Sequence, residues 1–299
     1  VHDDILVLIN EQSGRVKDIG AGAIEEDLIP ILDRNGSYRI VHGQMEELLG
    51  EANSCQARTL VSVGGDGTIG AISKALIDCK ATAVFVPLPY GTANLIPRDL
   101  DFPLQPTDAL RRALRLKPRK IDYAEAAGRP LLHSAVLGTF AEAAEARELF
   151  RSAPTFEDRM GAASEWFDRL FFTEPQRYDI EIDGRSYDTE TNAIFITNNP
   201  ITHGEAGVPR RSQLDTGQLC VYISDSKGPF GFIQRILEAV AGGFEDSHGI
   251  TKLVGSDVSV RGPDDEIHFT IDGEPFISDA KTEVRMVMKP SCLTVPDFR

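Results

Sequence analysis

The eighteen residues from Thr59 to Leu76, TLVSVGGDGTIGAISKAL, leave the backbone few options. Thr59-Leu60-Val61-Ser62-Val63 is β-branched or apolar with one serine, Gly64-Gly65-Asp66-Gly67-Thr68 follows at once, and Ile69, Ile72, Ala75 and Leu76 then recur at helical spacing. The pattern predicts strand, glycine turn, helix. Glycines at such a turn permit φ > 0 and close approach of a ligand, and the N–H groups that open the helix attract anions. The turn therefore reads as a phosphate cradle. Asp66 puts a negative charge where phosphate should sit, so either a metal ion lies between them or the carboxylate acts on a proton or an incoming hydroxyl. Both options point to phosphoryl transfer, where positioning and charge neutralisation do most of the catalysis. Two other readings stay open. Gly65, Gly67 and Gly70 also match the dinucleotide fingerprint, although the segment about 20 residues on lacks its acidic residue, and a strand-to-helix turn can be structural only.

Around this centre the chain alternates. Ile5 to Ile9 is a continuous apolar run of strand length, as in a strand buried on both faces of a parallel sheet, and ends in Asn10-Glu11-Gln12-Ser13-Gly14. A helix is expected over Ile19 to Leu32, a strand over Tyr38 to Val41, a short helix over Met45 to Ala52, and a strand over Ala83 to Pro87 that leads to the polar loop Tyr90-Gly91-Thr92-Ala93-Asn94. Such alternation implies an α/β, doubly wound parallel sheet whose loops 10–14, 64–68 and 90–94 open at one edge. Arg98 and Asp99 read most simply as a solvated ion pair, and Pro106 to Leu116 as a helix with apolar Leu110, Ala113 and Leu114 and basic Arg111, Arg112 and Arg115.

Beyond Lys117-Pro118 the texture changes. Residues 120–137 alternate like strands around a turn at Gly128-Arg129-Pro130, and further strands are expected at Tyr178 to Ile182 and Tyr187 to Thr189, with the hairpin signal Asp183-Gly184 between them, and at Ala193 to Thr197, Leu219 to Ser224, Asp257 to Val260, His268 to Ile271 and Glu283 to Met288. This predicts a mostly antiparallel β-sandwich after a boundary near Asp122. Phe140 to Phe150 and Glu165 to Phe172 read as helical insertions; in the second, Trp166, Phe167, Leu170, Phe171 and Phe172 fit a greasy pocket, a membrane contact or plain core. Gly228 to Gly243 is amphipathic without evident chemistry. Asp272-Gly273 reads as a hairpin turn, which leaves Glu274 unexplained; a carboxylate on a rigid turn facing the cradle could take a proton from an acceptor hydroxyl.

Composition narrows the partners. A length of 299 residues suits about two domains, and no apolar run approaches the roughly 18 residues needed to span a bilayer. Together with the lack of a signal-peptide pattern, this gives a cytoplasmic expectation. The formal net charge of −15 argues against nucleic acid and against tight electrostatic docking on anionic lipid, so any transient peripheral membrane contact is expected to be local and apolar. Cys55, Cys79, Cys220 and Cys292 are scattered and read as reduced, buried thiols.

The order of these motifs resembles the diacylglycerol kinase catalytic family, the soluble bacterial lipid kinases related to sphingosine and ceramide kinases. Asn10-x-x-Ser13-Gly14 resembles its first nucleotide loop, Gly64-Gly65-Asp66-Gly67-Thr68 its signature, Pro89 to Asn94 with Arg98 its second glycine-threonine loop, and Asp272-Gly273-Glu274 its late acidic motif. The signature alone is shared with NAD kinases. The resemblance implies ATP in an interdomain cleft, with Asn10, Ser13, Gly14, Gly64, Gly65, Asp66, Gly67, Thr68, Gly91, Thr92 and Asn94 around it. Asp66 would act through Mg2+ and its waters, Glu274 would accept the proton, and Asp272 would support Glu274. It also implies a nucleotide domain over residues 1–122, a lipid-holding sandwich over 123–288, and a tail, 289–299, returning to the first domain. The acceptor would be a lipid hydroxyl at a membrane or micelle; a soluble acceptor such as NAD, or a nucleotide-binding regulator without activity, are the alternatives. The oligomeric state stays open, a homodimer among the options. Departures from the pattern are His42 where a threonine is usual, Leu95 where Asp is common, Pro97 in a small helix, and Leu214-Asp215-Thr216-Gly217, where Thr216 replaces an Asp of a structural magnesium turn and Asp215 is left as one ligand.

Overall fold

Ile5–Asn10 forms β1, buried at all six positions, because it is flanked by parallel strands on both sides: β2, Tyr38–Gly43, and β3, Thr59–Gly64. A computed structural model describes residues 3–138, 175–202, 210–224, 250–262, 266–279 and 283–298. The helical insertions predicted over 140–150, 165–172 and 228–243, with the Trp166 to Phe172 cluster, lie outside the described residues.

Between β1 and β2 run α1, Gly14–Ile19, and α2, Ala21–Leu32. The single helix predicted from Ile19 is thus displaced. Ile19 ends α1, and Gly20 at φ 93° turns the chain before α2 buries Ile24, Leu28, Ile31 and Leu32. α3, Met45–Asn53, and α4, Asp66–Asp78, precede and follow β3; β4, Val84–Pro89, completes the sheet order β2-β1-β3-β4. β4 is an edge strand, which explains how it accommodates Pro87 and Pro89 and runs two residues past the predicted end. α5, Leu95–Asp99, and α6, Pro106–Ala113, lead to β5, Pro118–Ala126. Arg98 is exposed and donates from Nε to the Ala93 carbonyl at 3.0 Å, whereas Asp99 is buried, so the two are not a solvated pair.

The remaining strands are β6, Arg129–Leu131; β7, Ser134–Gly138; β8, Gln176–Ile182; β9, Arg185–Thr191; β10, Ala193–Asn198; β11, Leu219–Ser224; β12, Ile250–Gly255; β13, Asp257–Arg261; β14, Glu266–Ile271; β15, Glu274–Asp279; and β16, Val284–Pro296. They form two six-stranded sheets, β12-β11-β10-β7-β14-β15 and β6-β5-β16-β13-β8-β9. Inward residues of both, among them Leu137, Ile194, Ile196, Val221 and Phe269 from one and Ile180, Ile182, Val258, Val260 and Met286 from the other, make one hydrophobic core. This is the antiparallel β-sandwich. The turn after β5 falls at Ala127-Gly128, both at positive φ, one residue earlier than predicted, and Arg129 already belongs to β6. β12 and β15 are strands not assigned from the sequence; β16 joins the expected strand at Glu283 to Met288 and most of the expected tail, 289–299, into one.

Two compact units result, residues 1–123 with 291–299, and residues 124–290.

Candidate active site

In the first unit the site is built where β1, β3 and β4 end. The strand order places β1 and β3 at the point where the connections diverge to opposite sides, the position at which open α/β sheets bind ligands. Asn10 ends β1, and its amide donates to Thr68 Oγ1 at 2.7 Å while its Oδ1 accepts the Gln12 N–H at 2.9 Å. One buried side chain thus fixes its own loop and joins it to the first turn of α4. Gly64 ends β3, and a Cβ there would lie 2.6 Å from the Thr68 side chain. Glycine is needed for Thr68 to fold back over the strand end.

Gly65 and Gly91 face one another. A Cβ on Gly91 would lie 3.1 Å from Gly65 Cα and 3.2 Å from Asp66 Oδ2, and one on Gly65 would lie 3.6 Å from Ser13 Oγ. Loops 10–14, 64–68 and 90–94 therefore abut. Neither Gly64, Gly65, Gly67 nor Gly91 has positive φ, contrary to the conformational role expected of the cradle glycines; their work is close approach. The left-handed residue is Asn94, at φ 52°, whose Oδ1 accepts the Gly91 N–H at 2.8 Å and closes the third loop. Tyr90 is buried, and burial beside Asp27 pushes its phenol up to about 12, so it stays neutral.

Asp66 is the hub. Its Oδ2 accepts the Asn94 N–H at 3.1 Å and its Oδ1 the Leu95 N–H at 2.8 Å, so the carboxylate caps α5 from the neighbouring loop. Burial pushes the carboxyl above the usual range, opposed by these N–H groups and its own. Gly14, Gly67 and Thr92 are exposed around it. The first-turn N–H groups of α4 have no intrahelical acceptor, and at the positive end of a 13-residue helix they suit a phosphate. His42, at the end of β2, sits 2.5 Å from Glu25 Oε2 through Nε2.

The second unit carries the late acidic motif on the β14–β15 hairpin. Asp272 and Gly273 both have positive φ, 50° and 87°, so the two-residue turn is real. The Asp272 carboxylate accepts N–H groups from Leu132 at 2.9 Å, His133 at 2.8 Å and Ser134 at 2.9 Å, tying the hairpin to the link between β6 and β7. Burial pushes this carboxyl up, opposed by the three N–H groups and by Arg211. Glu274 opens β15 exposed.

A buried polar chain missed at the level of sequence supports that hairpin. Arg211, 1% exposed, donates to the carbonyls of Leu132 at 2.7 Å and Asn198 at 2.5 Å. Asn198 in turn donates to the Leu131 carbonyl at 3.1 Å and accepts from Asn199 at 2.9 Å, and Asn199 Oδ1 accepts both the N–H and the hydroxyl of Thr216. Asn198-Asn199-Pro200 signals a turn in the sequence, but nothing there marks Arg211 as buried. Asp215 itself is exposed, and among the described residues no three His, Cys, Asp or Glu side chains gather to hold a metal.

Residues 4–126 match the model of the diacylglycerol kinase catalytic domain, and residues 161–296 that of the YegS C-terminal NAD kinase beta sandwich-like domain. The chain is 30% identical over 265 residues to the protein of Pseudomonas fluorescens Pf-5 named "Probable lipid kinase YegS-like", covering 85% of this chain and 82% of that one. The chain belongs to the YegS-like lipid kinase family. Within this family it is also 32% identical over 136 residues to the protein of the same name in Pseudomonas aeruginosa PAO1, 45% of this chain and 43% of that one. The fold is that of a solved diacylglycerol kinase from Bacillus anthracis str. Sterne, with TM-score 0.68 at 17% identity over 99% of this chain and 98% of that one. Among the described residues no helix is long and apolar enough to cross a membrane.

Proposed function

We propose that this kinase transfers the γ-phosphoryl group of ATP to a hydroxyl of a membrane lipid of the diacylglycerol, sphingoid or ceramide kind. The observation that carries the reading is the junction of loops 10–14, 64–68 and 90–94 around Asp66, with glycine wherever a side chain would part them. The backbone there is preorganised for an anion, and Thr68 is held by Asn10 with no freedom to fill the space. Both Asp66 oxygens already accept one N–H each, which leaves the carboxylate lone pairs for water but not for a cage around a bare ion. That suits a nucleotide-borne Mg2+, which keeps several of its waters. When bound, the ion neutralises phosphate charge. The chain's own contributions are the N–H groups of α4 on the phosphates, Asp66 positioning the loop, and Glu274 taking the acceptor proton while Asp272 holds its turn.

A second reading, a soluble acceptor such as NAD, is favoured by one observation, the NAD kinase-like description of the matched C-terminal model. ATP consumption by the purified chain with Mg2+, against lipids in mixed micelles and against NAD, separates the two. Turnover with a lipid that is lost in Asp66→Ala supports the first; turnover with NAD alone supports the second; nucleotide binding without any turnover overturns both in favour of a regulator.

A further inference from the structure

Net charge alone argues for an apolar membrane contact, but its distribution argues otherwise. α6 turns Pro106, Ala109, Leu110 and Ala113 inward. At about 100° per residue, Arg111, Arg112 and Arg115 then share the outward face with Asp108. The helical turn continues past Ala113, since Arg115 donates to the Arg112 carbonyl at 3.0 Å and Leu116 to that of Ala113 at 3.3 Å. Lys117, Arg119 and Lys120 follow. From Leu104 to Lys120 six cations face one acid, in a chain whose formal net charge is −15.

Three of the six cations have partners within the chain. Arg119 is turned to Asp297 at 3.3 Å and Arg111 to Asp108 at 3.5 Å, and Arg112 stacks on the Phe298 ring at 5.3 Å. Arg115, Lys117 and Lys120 are exposed, and no ion pair among the described residues engages them. Two exposed leucines frame the cations, Leu104 at 47% before α6 and Leu116 at 37% after it. Like charges on neighbouring turns repel, so a local excess of this kind is unfavourable until an anionic surface offsets it.

We propose that this surface docks the chain on an anionic phospholipid bilayer, with Arg111, Arg112, Arg115 and Lys117 at the headgroup phosphates and Leu104 and Leu116 in the headgroup boundary. Only the purpose of docking rests on the lipid-kinase reading above; the surface does not. Each cation near such a surface strengthens binding about fivefold, and two leucines add a shallow apolar foothold. The screening length of about 8 Å at physiological salt confines what the membrane senses to the nearest charges, so distant acids do not cancel the patch. Bare leucines beside the cations favour a lipid surface over a nucleic-acid backbone, which offers them nothing.

The test is vesicle flotation of the full chain without nucleotide, using phosphatidylcholine with and without phosphatidylglycerol. Binding is expected only with phosphatidylglycerol. Arg111→Gln, Arg112→Gln and Arg115→Gln together should weaken it roughly 100-fold, while the three Lys replacements retain it and Leu104→Ser with Leu116→Ser weakens it. Removing equal charge at Arg177, Arg261 and Arg285 should leave binding unchanged. No binding by the parent chain, an equal loss in that control, or preferential binding to single-stranded nucleic acid overturns the proposal. Turnover on a dispersed short-chain lipid, measured without vesicles, keeps the two readings apart: its absence counts against the kinase reading and leaves the flotation result intact.

Discussion

Asp66 holds α5 by two N–H groups and stands where phosphates are expected, so its roles compete. Asp66→Ala should abolish turnover and also release the α5 N-terminus, a loss of about 1–3 kcal/mol visible as a lower Tm. Because burial raises its pKa in the fold, the group favours folding below its unfolded value, and that contribution is lost as pH rises through the folded one. On the role proposed for Asp66, the ionised form is both the active one and the less stable one, and the acid limb of the activity profile should lie above the ordinary carboxylate range. Glu274 is exposed, so Glu274→Gln should lower kcat by roughly 10²- to 10⁴-fold with Tm unchanged. Arg211→Met removes a buried cation from two carbonyls and from beside Asp272. A calorimetric loss of roughly 3–5 kcal/mol is expected.

Two hairpins repeat one device. Asp183-Gly184 and Asp272-Gly273 are both two-residue turns at positive φ, and in each the Asp carboxylate reaches another link of the sheets. Asp183 accepts N–H groups from Ser256 and Asp257 and the Ser256 hydroxyl; Asp272 accepts three N–H groups at 132–134. Their environments divide them. Asp183 is exposed and held below the usual range by Ser256, whereas burial lifts Asp272. Asp183's contribution to stability is full above its unfolded value and lost as pH falls through the lower folded one. Asp183→Ala should thus lower Tm at neutral pH, with the difference shrinking toward about pH 3, below the ordinary carboxylate value. The dipeptides announced both turns; what each carboxylate holds did not show, because its partners lie more than 70 residues away.

At the scale of the molecule, all four cysteines are free, but only Cys220 is buried as expected, Cys55 and Cys292 being half-buried and Cys79 exposed at the end of α4; with no disulfide in the fold, unfolding curves with and without reductant should coincide. Local patterning was sufficient for much of the architecture. The apolar run at Ile5 to Ile9, the glycine turn after β3 and the alternating strands beyond Lys117 determined a parallel sheet followed by an antiparallel sandwich, since periodicity and turn chemistry act within a few residues. The α1–α2 break escaped because one glycine at φ 93° leaves the apolar spacing almost undisturbed. The family likeness was equally legible in Asn10, the Gly64–Thr68 turn, Thr92 and Asp272-Gly273-Glu274. Tertiary structure alone decided what those residues do to each other. Glycines expected to bend the chain instead let loops touch, Asp66 spends two lone pairs on α5, and Arg211 is buried and bonded to the carbonyls of Leu132 and Asn198. Burial and hydrogen-bond partners are set by contacts between distant segments, and no local pattern encodes them.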